Sequence, residues 1–379
     1  MIRYIAPLFA ALLAAQPASA FDTAASAAMV VDMTSGAVLL EKNPDKPLPP
    51  ASMSKLMTLD LVFEALQSGR LTLNETFPVS EKAWKMGGSR MFVRAGERVA
   101  ISDLLRGVVV QSGNDACVVL AEGLAGSEEA FARRMNERAK ELGMNGSHFI
   151  NSTGWPAPDH RMTVRDLMTL VDRMVNVFPE YYPVFSETEF EWDGVKQRNR
   201  NPLLYLDLGA DGLKTGHTEE AGYGLTGSAV RDGRRIGFVL AGLPSLEARS
   251  QEAERIVTWA FREFRTDKVA SAGQIVGAAD VWIGAEATVP LAPERDIVAT
   301  APWSGVAEVK ATIRYDGPVP APIAAGDRIG ELVIEAPGLA PVSTPLVAAA
   351  AVAKGGLSTR VRAAIGTLLR GEDPLAIIE

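Results

Sequence analysis

The sequence predicts an α/β sandwich, then a small all-β domain, then a short amphipathic helix at the C-terminus. Three observations carry this reading. A strand pair near the start is separated by several helices from three more strands and a closing helix, the order expected when early and late strands share one sheet. After about residue 268, short β-rich runs alternate with Pro/Gly turns and nothing has helical periodicity. After an Ala-rich stretch, apolar residues return at helical spacing. A chain of 379 residues fits two domains better than one.

The elements follow in order. Residues 1–20 carry an early positive charge, a short apolar run and an Ala18-Ser19-Ala20 cleavage site, which is a secretory signal peptide; the run is too short to span a membrane. The mature chain then starts at Phe21 and works outside the cytoplasm. Residues 28–41, "AMVVDMTSGAVLLE", place a Thr-Ser-Gly turn between two apolar runs and predict a hairpin. Leu56, Leu59, Phe63 and Leu66 recur at helical spacing, and Pro49-Pro50 prevents an earlier start, so a helix over 52–67 has Ser52 near its N-terminus. Gly87-Gly88-Ser89 opens a stretch expected to be flexible. Further helices are expected over 101–110, 114–124, 127–142 and 163–176, strands over 210–214, 222–230 and 235–243, and a closing helix over 249–264. Residues 21–267 make up the first domain and 268–345 the all-β domain. Residues 346–379 form a connector and a tail, with Leu357, Val361, Ala364, Ile365 and Leu368 on one helical stripe and Arg360, Arg362 and Arg370 largely off it.

Composition narrows the function. There are 38 basic and 46 acidic residues, a net charge of -8, which argues against nucleic acid as the main partner. The single cysteine, Cys117, cannot form an internal disulfide. Three histidines and no ligand-type spacing leave no expected metal, and no cofactor is implied.

Three short motifs carry chemistry. In "SMSK", Ser52 and Lys55 lie one helical turn apart, so the lysine reaches the hydroxyl; a lysine whose pKa is lowered by burial or a nearby positive charge acts as a base. In "SGN", Ser112 and Asn114 flank a glycine at a tight corner between two apolar runs, though Ser112 alone also reads as a helix N-cap. In "KTG", Lys214, Thr215 and Gly216 close a β run, where glycine lets a substrate backbone approach the strand edge. Each motif alone also suits an ordinary surface or turn.

Together, in this order, the motifs resemble the penicillin-binding protein and serine β-lactamase superfamily, whose set is SxxK, S-[DG]-N and KTG. The segments "SGNDACVVLAEGLAGSEEAFARRMNERAKELGM", "GLKTGHTEEAGYGLTGSA" and "RYDGPVPAPIAAGDRIGELVI" narrow the resemblance to low-molecular-mass D-alanyl-D-alanine carboxypeptidases. The resemblance implies a transpeptidase-like domain with an antiparallel sheet flanked by helices, an all-β second domain and an amphipathic anchor. It implies peptidoglycan stem peptides ending in D-Ala-D-Ala as substrates and β-lactams as covalent inhibitors. Ser52 would be the nucleophile, Lys55 its base and Ser112 a proton relay. Asn114 would hold the substrate amide, Lys214, Thr215 and Gly216 would line the carboxylate end, and the backbone N–H groups of Ser52 and His217 would form the oxyanion hole. Arg249, ten residues before Trp259, would receive the terminal carboxylate, a role suited to a bidentate guanidinium, against the alternative of an exposed arginine at a helix start.

Four further residues have plainer readings. The His217 side chain is expected to line the cleft, His160 to give structural support, His148 to sit at the surface, and Cys117 to be a small core residue, or else a thiol close behind the site. Lys214 is expected to lower the pKa of Lys55. Gly154-Trp155-Pro156 departs from the family's usual Gly-Leu-Pro and bears on peptide preference if it lies near the cleft. Competing functions are a serine β-lactamase, against which the second domain counts, a DD-endopeptidase using the same residues, and a non-catalytic peptidoglycan-binding protein, which would show a broken motif. The expected location is the periplasm, with the tail on the anionic outer face of the cytoplasmic membrane.

Overall fold

The computed structural model describes residues 21–357 and Val361. The expected signal peptide and nearly all of the expected C-terminal helix lie outside the described residues.

The chain opens with β1 (Ala27–Asp32) and β2 (Ala37–Lys42), the expected hairpin. A 3-10 turn (Ala51–Ser54) leads into α1 (Lys55–Gln67). The small hairpin β3 (Thr76–Pro78) and β4 (Arg98–Ala100) brackets the one-turn α2 (Glu81–Trp84). Then come α3 (Ile101–Val109), α4 (Asn114–Ala125), α5 (Glu128–Glu141) and α6 (Val164–Asn176). A polar hairpin, β5 (Glu189–Trp192) and β6 (Val195–Arg198), precedes β7 (Ala210–Thr218), β8 (Gly222–Arg231) and β9 (Arg234–Leu243). The helix α7 (Leu246–Glu263) closes the domain.

The sheet order is β2-β1-β9-β8-β7, antiparallel throughout. Early and late strands do share one sheet, through the β1–β9 pairing. Its central strands are apolar on both faces, the pattern of a sheet covered on both sides. Ala27 and Met29 enter the core beneath α1 and α3–α6, while Ala28 and Val30 enter the core beneath α7. Ala253, Ile256, Val257 and Ala260 give α7 its buried stripe. Helix α4, buried from Asn114 to Ala121, runs through the middle of the helical layer.

Three expectations change. Helix 52–67 divides at Lys55, and Ser52 lies on the tighter 3-10 turn wedged against β7: a Cβ at Gly216 would meet Pro50 O at 2.9 Å. The closing helix starts a turn earlier because Ser245 caps it, its hydroxyl accepting from Ala248 N–H. The strand carrying KTG continues to Thr218, so the motif lies within β7, an edge strand, rather than closing it.

Helix α7 passes directly into β10 (Phe264–Ala270), followed by β11 (Gly277–Trp282), β12 (Thr288–Pro293), β13 (Ile297–Pro302), β14 (Lys310–Tyr315), β15 (Val319–Pro320), β16 (Arg328–Glu335) and β17 (Val342–Ala348). A six-stranded sheet, β14-β16-β17-β12-β11-β15, shares a small core with the β10–β13 pair, giving an all-β unit. Asp32, fully buried at the junction, joins the two units. Its Oδ2 accepts from Arg234 Nε at 2.7 Å, Thr266 Oγ1 at 2.6 Å and Thr300 Oγ1 at 2.8 Å.

Candidate active site

The three motifs converge on the open edge of β7. The 3-10 turn presents Ser52, the first turn of α1 presents Lys55, the α3–α4 corner presents Ser112 and Asn114, and β7 presents Lys214. Lys55 is fully buried, and its Nζ lies 2.8 Å from Ser52 Oγ, 2.8 Å from Asn114 Oδ1 and 2.6 Å from the Thr153 carbonyl. Lys214 Nζ donates to Ser112 Oγ at 2.9 Å and to the Thr215 carbonyl at 3.2 Å. Two serine–lysine pairs therefore line one cleft.

Backbone strain marks both pairs. Ala51 (φ 49) and Ser112 (φ 57) occupy the left-handed region without being glycine, a cost that persists only where packing enforces it. Ser112 is not the N-cap of α4; that position is Gly113, and the Ser112 side chain is turned toward Lys214. Behind Ser52, Gly154 (φ +78) packs so closely that a Cβ there would lie 1.9 Å from Ala51 O. Fully buried His160 bridges the same region, its Nε2 3.1 Å from Ser54 Oγ and its Nδ1 accepting from Ile150 N–H. Burial, with His148, Arg161 and Lys55 nearby, pushes His160 down to about 4, so it is a neutral support, as expected. His148 lies exposed at the surface.

The stretch after Gly87 is pinned rather than flexible. Asn114 Nδ2 donates to Gly87 O, Asn114 N–H donates to Ser89 O, and the Asp115 carboxylate accepts from the N–H groups of Met91, Phe92 and Val93. The sequence does not reveal this, because the hydrogen-bond partners come from a helix that follows much later.

Electrostatics adds a residue that the motif reading missed. Burial lowers Lys55 to about 8, and the chief positive charge contributing is that of Arg200. Lys214 is pushed well down by burial, by Lys55 and by Arg200. Two ammonium groups this close disfavour each other's charge, and Arg200 adds a third positive charge that lowers both. Arg200 also bonds Ser89 Oγ, and its carbonyl accepts from Arg249 at 3.5 Å. No spacing rule points to Arg200, which sits in the polar run "QRNRN" before β7. Arg249 is 5% exposed and its Nε is buried without a hydrogen-bond partner among the described residues, so it is not a surface arginine. At the outer end of β7, His217 is exposed and stacks on Tyr223 with ring centroids 3.9 Å apart; Arg249 lies over the same phenol at 5.8 Å. Thr215 and Gly216 are buried in the strand between these groups. Cys117 lies fully buried, its thiol pushed up to about 12 by burial, and is an inert core residue.

A serine bonded to a buried lysine, facing a second serine–lysine pair on an antiparallel sheet between helical layers, defines a serine acyl-transfer enzyme with the penicillin-binding transpeptidase-like fold. A family model described as D-alanyl-D-alanine carboxypeptidase matches residues 13–244, and one described as the penicillin-binding protein 5 C-terminal domain matches 264–354. D-alanyl-D-alanine carboxypeptidase DacD of Escherichia coli is 35% identical, covering 88% of this chain and 88% of its own. The DacC carboxypeptidase of the same organism is 35% identical over 93% of this chain and 90% of its own. The crystal structure of penicillin binding protein 5 from Haemophilus influenzae superposes with a TM-score of 0.81 at 33% identity, over 88% of this chain and 98% of that one. This chain belongs to the D-alanyl-D-alanine carboxypeptidase family, peptidase S11.

Proposed function

We propose that this chain is a serine D-alanyl-D-alanine carboxypeptidase that removes the terminal D-alanine of peptidoglycan stem peptides, and that β-lactams acylate the same serine. One observation carries the mechanism. Two of the three groups around Lys55 Nζ, Asn114 Oδ1 and the Thr153 carbonyl, only accept hydrogen bonds. A neutral Lys55 gives them its two N–H groups, and its lone pair is left facing the Ser52 hydroxyl.

Lys55 then takes the Ser52 proton as Oγ bonds to the carbonyl carbon between the two D-alanines. The resulting oxyanion is held by the backbone N–H groups of Ser52 and His217. As the C–N bond breaks, the proton that Lys55 took passes through the Ser112 hydroxyl, held by Lys214, to the departing amine, so D-alanine leaves and Lys55 is neutral again. Water, deprotonated by Lys55, attacks the acyl-enzyme and restores Ser52. Asn114 holds the substrate amide, while Lys214, Thr215, Gly216 and Arg249 form the carboxylate end; the unpartnered Arg249 Nε supports that role.

Mass spectrometry of a D-Ala-D-Ala peptide tests this reading: wild type removes one alanine and Ser52→Ala removes none. Cleavage of crosslinked dimers with no loss of terminal alanine would replace it with an endopeptidase. No cleavage and no penicillin adduct would leave a binding protein.

We further propose that residues 1–20 direct export to the periplasm and that the tail from Leu357 lies on the anionic outer face of the cytoplasmic membrane. The composition of the two segments supports this. The mature protein is expected to co-sediment with anionic vesicles at low salt, and truncation before Leu357 to abolish it. Equal sedimentation of the two forms would overturn the tail's role.

A further inference from the structure

Trp155 has no role in the chemistry above, yet it stands at the cleft with its indole 47% exposed. Its position is fixed from two sides. Asn151 Oδ1 accepts from the N–H groups of Thr153, Gly154 and Trp155, so the turn is rigid. Two residues earlier, the Thr153 carbonyl holds Lys55 Nζ at 2.6 Å, which ties this turn to the catalytic base. The benzo edge of the ring packs on glycine backbone: a Cβ at Gly88 would come 2.8 Å from the indole Cζ3 and 3.0 Å from Asn114 Nδ2. At Gly87, a Cβ would lie 3.5 Å from the indole Cη2. Gly87 is also the residue whose carbonyl Asn114 holds. The indole thus lies beside Asn114, against the same Gly87–Gly88 backbone that Asn114 holds.

We infer that Trp155 is a specificity-determining residue, a platform for a long aliphatic side chain on the residue preceding the D-Ala-D-Ala pair. This rests on the proposed carboxypeptidase reading, in which Asn114 faces the acyl side of the substrate. Attraction of a cation to the indole face is disfavoured here, because Arg200 and Arg249 keep the cleft positive even as burial drives the two lysines toward their neutral forms. The recognition is instead of methylenes: a lysine-like chain lays its stem on the ring and sends any charged head outward to water.

The experiment compares peptides X-D-Ala-D-Ala with X alanine, norleucine or lysine, on wild type, Trp155→Ala and Trp155→Phe. Wild type is expected to favour norleucine and lysine over alanine in kcat/KM by about five- to tenfold, the value of one to two methylenes removed from water. Trp155→Ala is expected to bring these ratios close to one, and Trp155→Phe to keep most of them. Wild-type ratios near one, or an equal fall for all three peptides in Trp155→Ala, would overturn the inference. Dissociation constants for the same peptides, measured on Ser52→Ala with and without Trp155→Ala, read the same ratios without turnover. Discrimination lost there, with the Ser52-intact protein releasing no D-alanine, would count against the carboxypeptidase reading and for the platform; its persistence would count against the platform.

Discussion

Lys55, the proposed base, is buried at the cost of stability. Its pKa falls from 10.5 to about 8, so between those values the unfolded chain binds more protons, and stability rises with pH across that window. The same depression sets the activity profile. We predict that kcat/KM climbs with pH and levels off above about pH 8, and that Lys55→Arg, whose guanidinium does not release its proton, is slower by about a thousandfold at every pH. A normal acylation rate in Lys55→Arg would remove Lys55 as the base. His160 has the same sign at lower pH. With its folded pKa near 4 against 6.5, the unfolded chain takes the proton first, and stability falls as pH drops from about 6.5 to about 4. The loss through that window is on the order of 3 kcal/mol. Urea titrations of wild type and His160→Gln should show a shallower pH dependence in the variant.

Elements hold these residues by close backbone approach more than by side-chain packing. The turn bearing Ser52 is held between β7 and Gly154. At Gly154 the neighbour is the Ala51 carbonyl, so neither side yields, and positive φ adds strain to any side chain there. Gly154→Ala is expected to cut the rate of Ser52 acylation by penicillin at least tenfold, even in the fraction that remains folded by circular dichroism. Asp115 takes three N–H groups of the segment after Gly87. Asp115→Ala should cost about 3 kcal/mol in urea unfolding, since two of those groups, at Met91 and Val93, belong to buried residues. Elements were legible in the sequence where one period dominated. The apolar stripes of α1 and α6 and the strands β8 and β9 stand out, whereas the β5–β6 hairpin, mostly exposed, carried only the Asp193-Gly194 turn between Trp192 and Val195 as a signal.

A buried carboxylate helps to join the two units, beside the Ser35 Oγ–Thr300 Oγ1 bond at 2.7 Å and the packing of Leu339 and Val342 on the core beneath α7. Asp32 comes from the first strand, Arg234 from β9, and Thr266 and Thr300 from the all-β unit, so one residue links the catalytic sheet to the second domain. Removing the carboxylate leaves the Arg234 charge buried without its partner, a loss of about 3–5 kcal/mol. Calorimetry of Asp32→Ala should then show a separate lower transition for one unit. A single unshifted transition would mean that the junction does not couple them.

The sequence by itself determined which candidate residues come together and the architecture of the two domains. Ser52 and Lys55 are brought together by their three-residue step, which survives the change from helix to 3-10 turn, Ser112 and Asn114 by a two-residue step, and the sheet by apolar runs whose length and period are local properties of the chain. Only the tertiary structure decided that Arg200 charges the cleft, that the Thr153 carbonyl orients Lys55, that Asp115 anchors a loop preceding it, and that Trp155 stands at the rim. Each of these depends on through-space distance between segments far apart in the chain. Burial, which sets the pKa values of both lysines, belongs to the folded molecule alone.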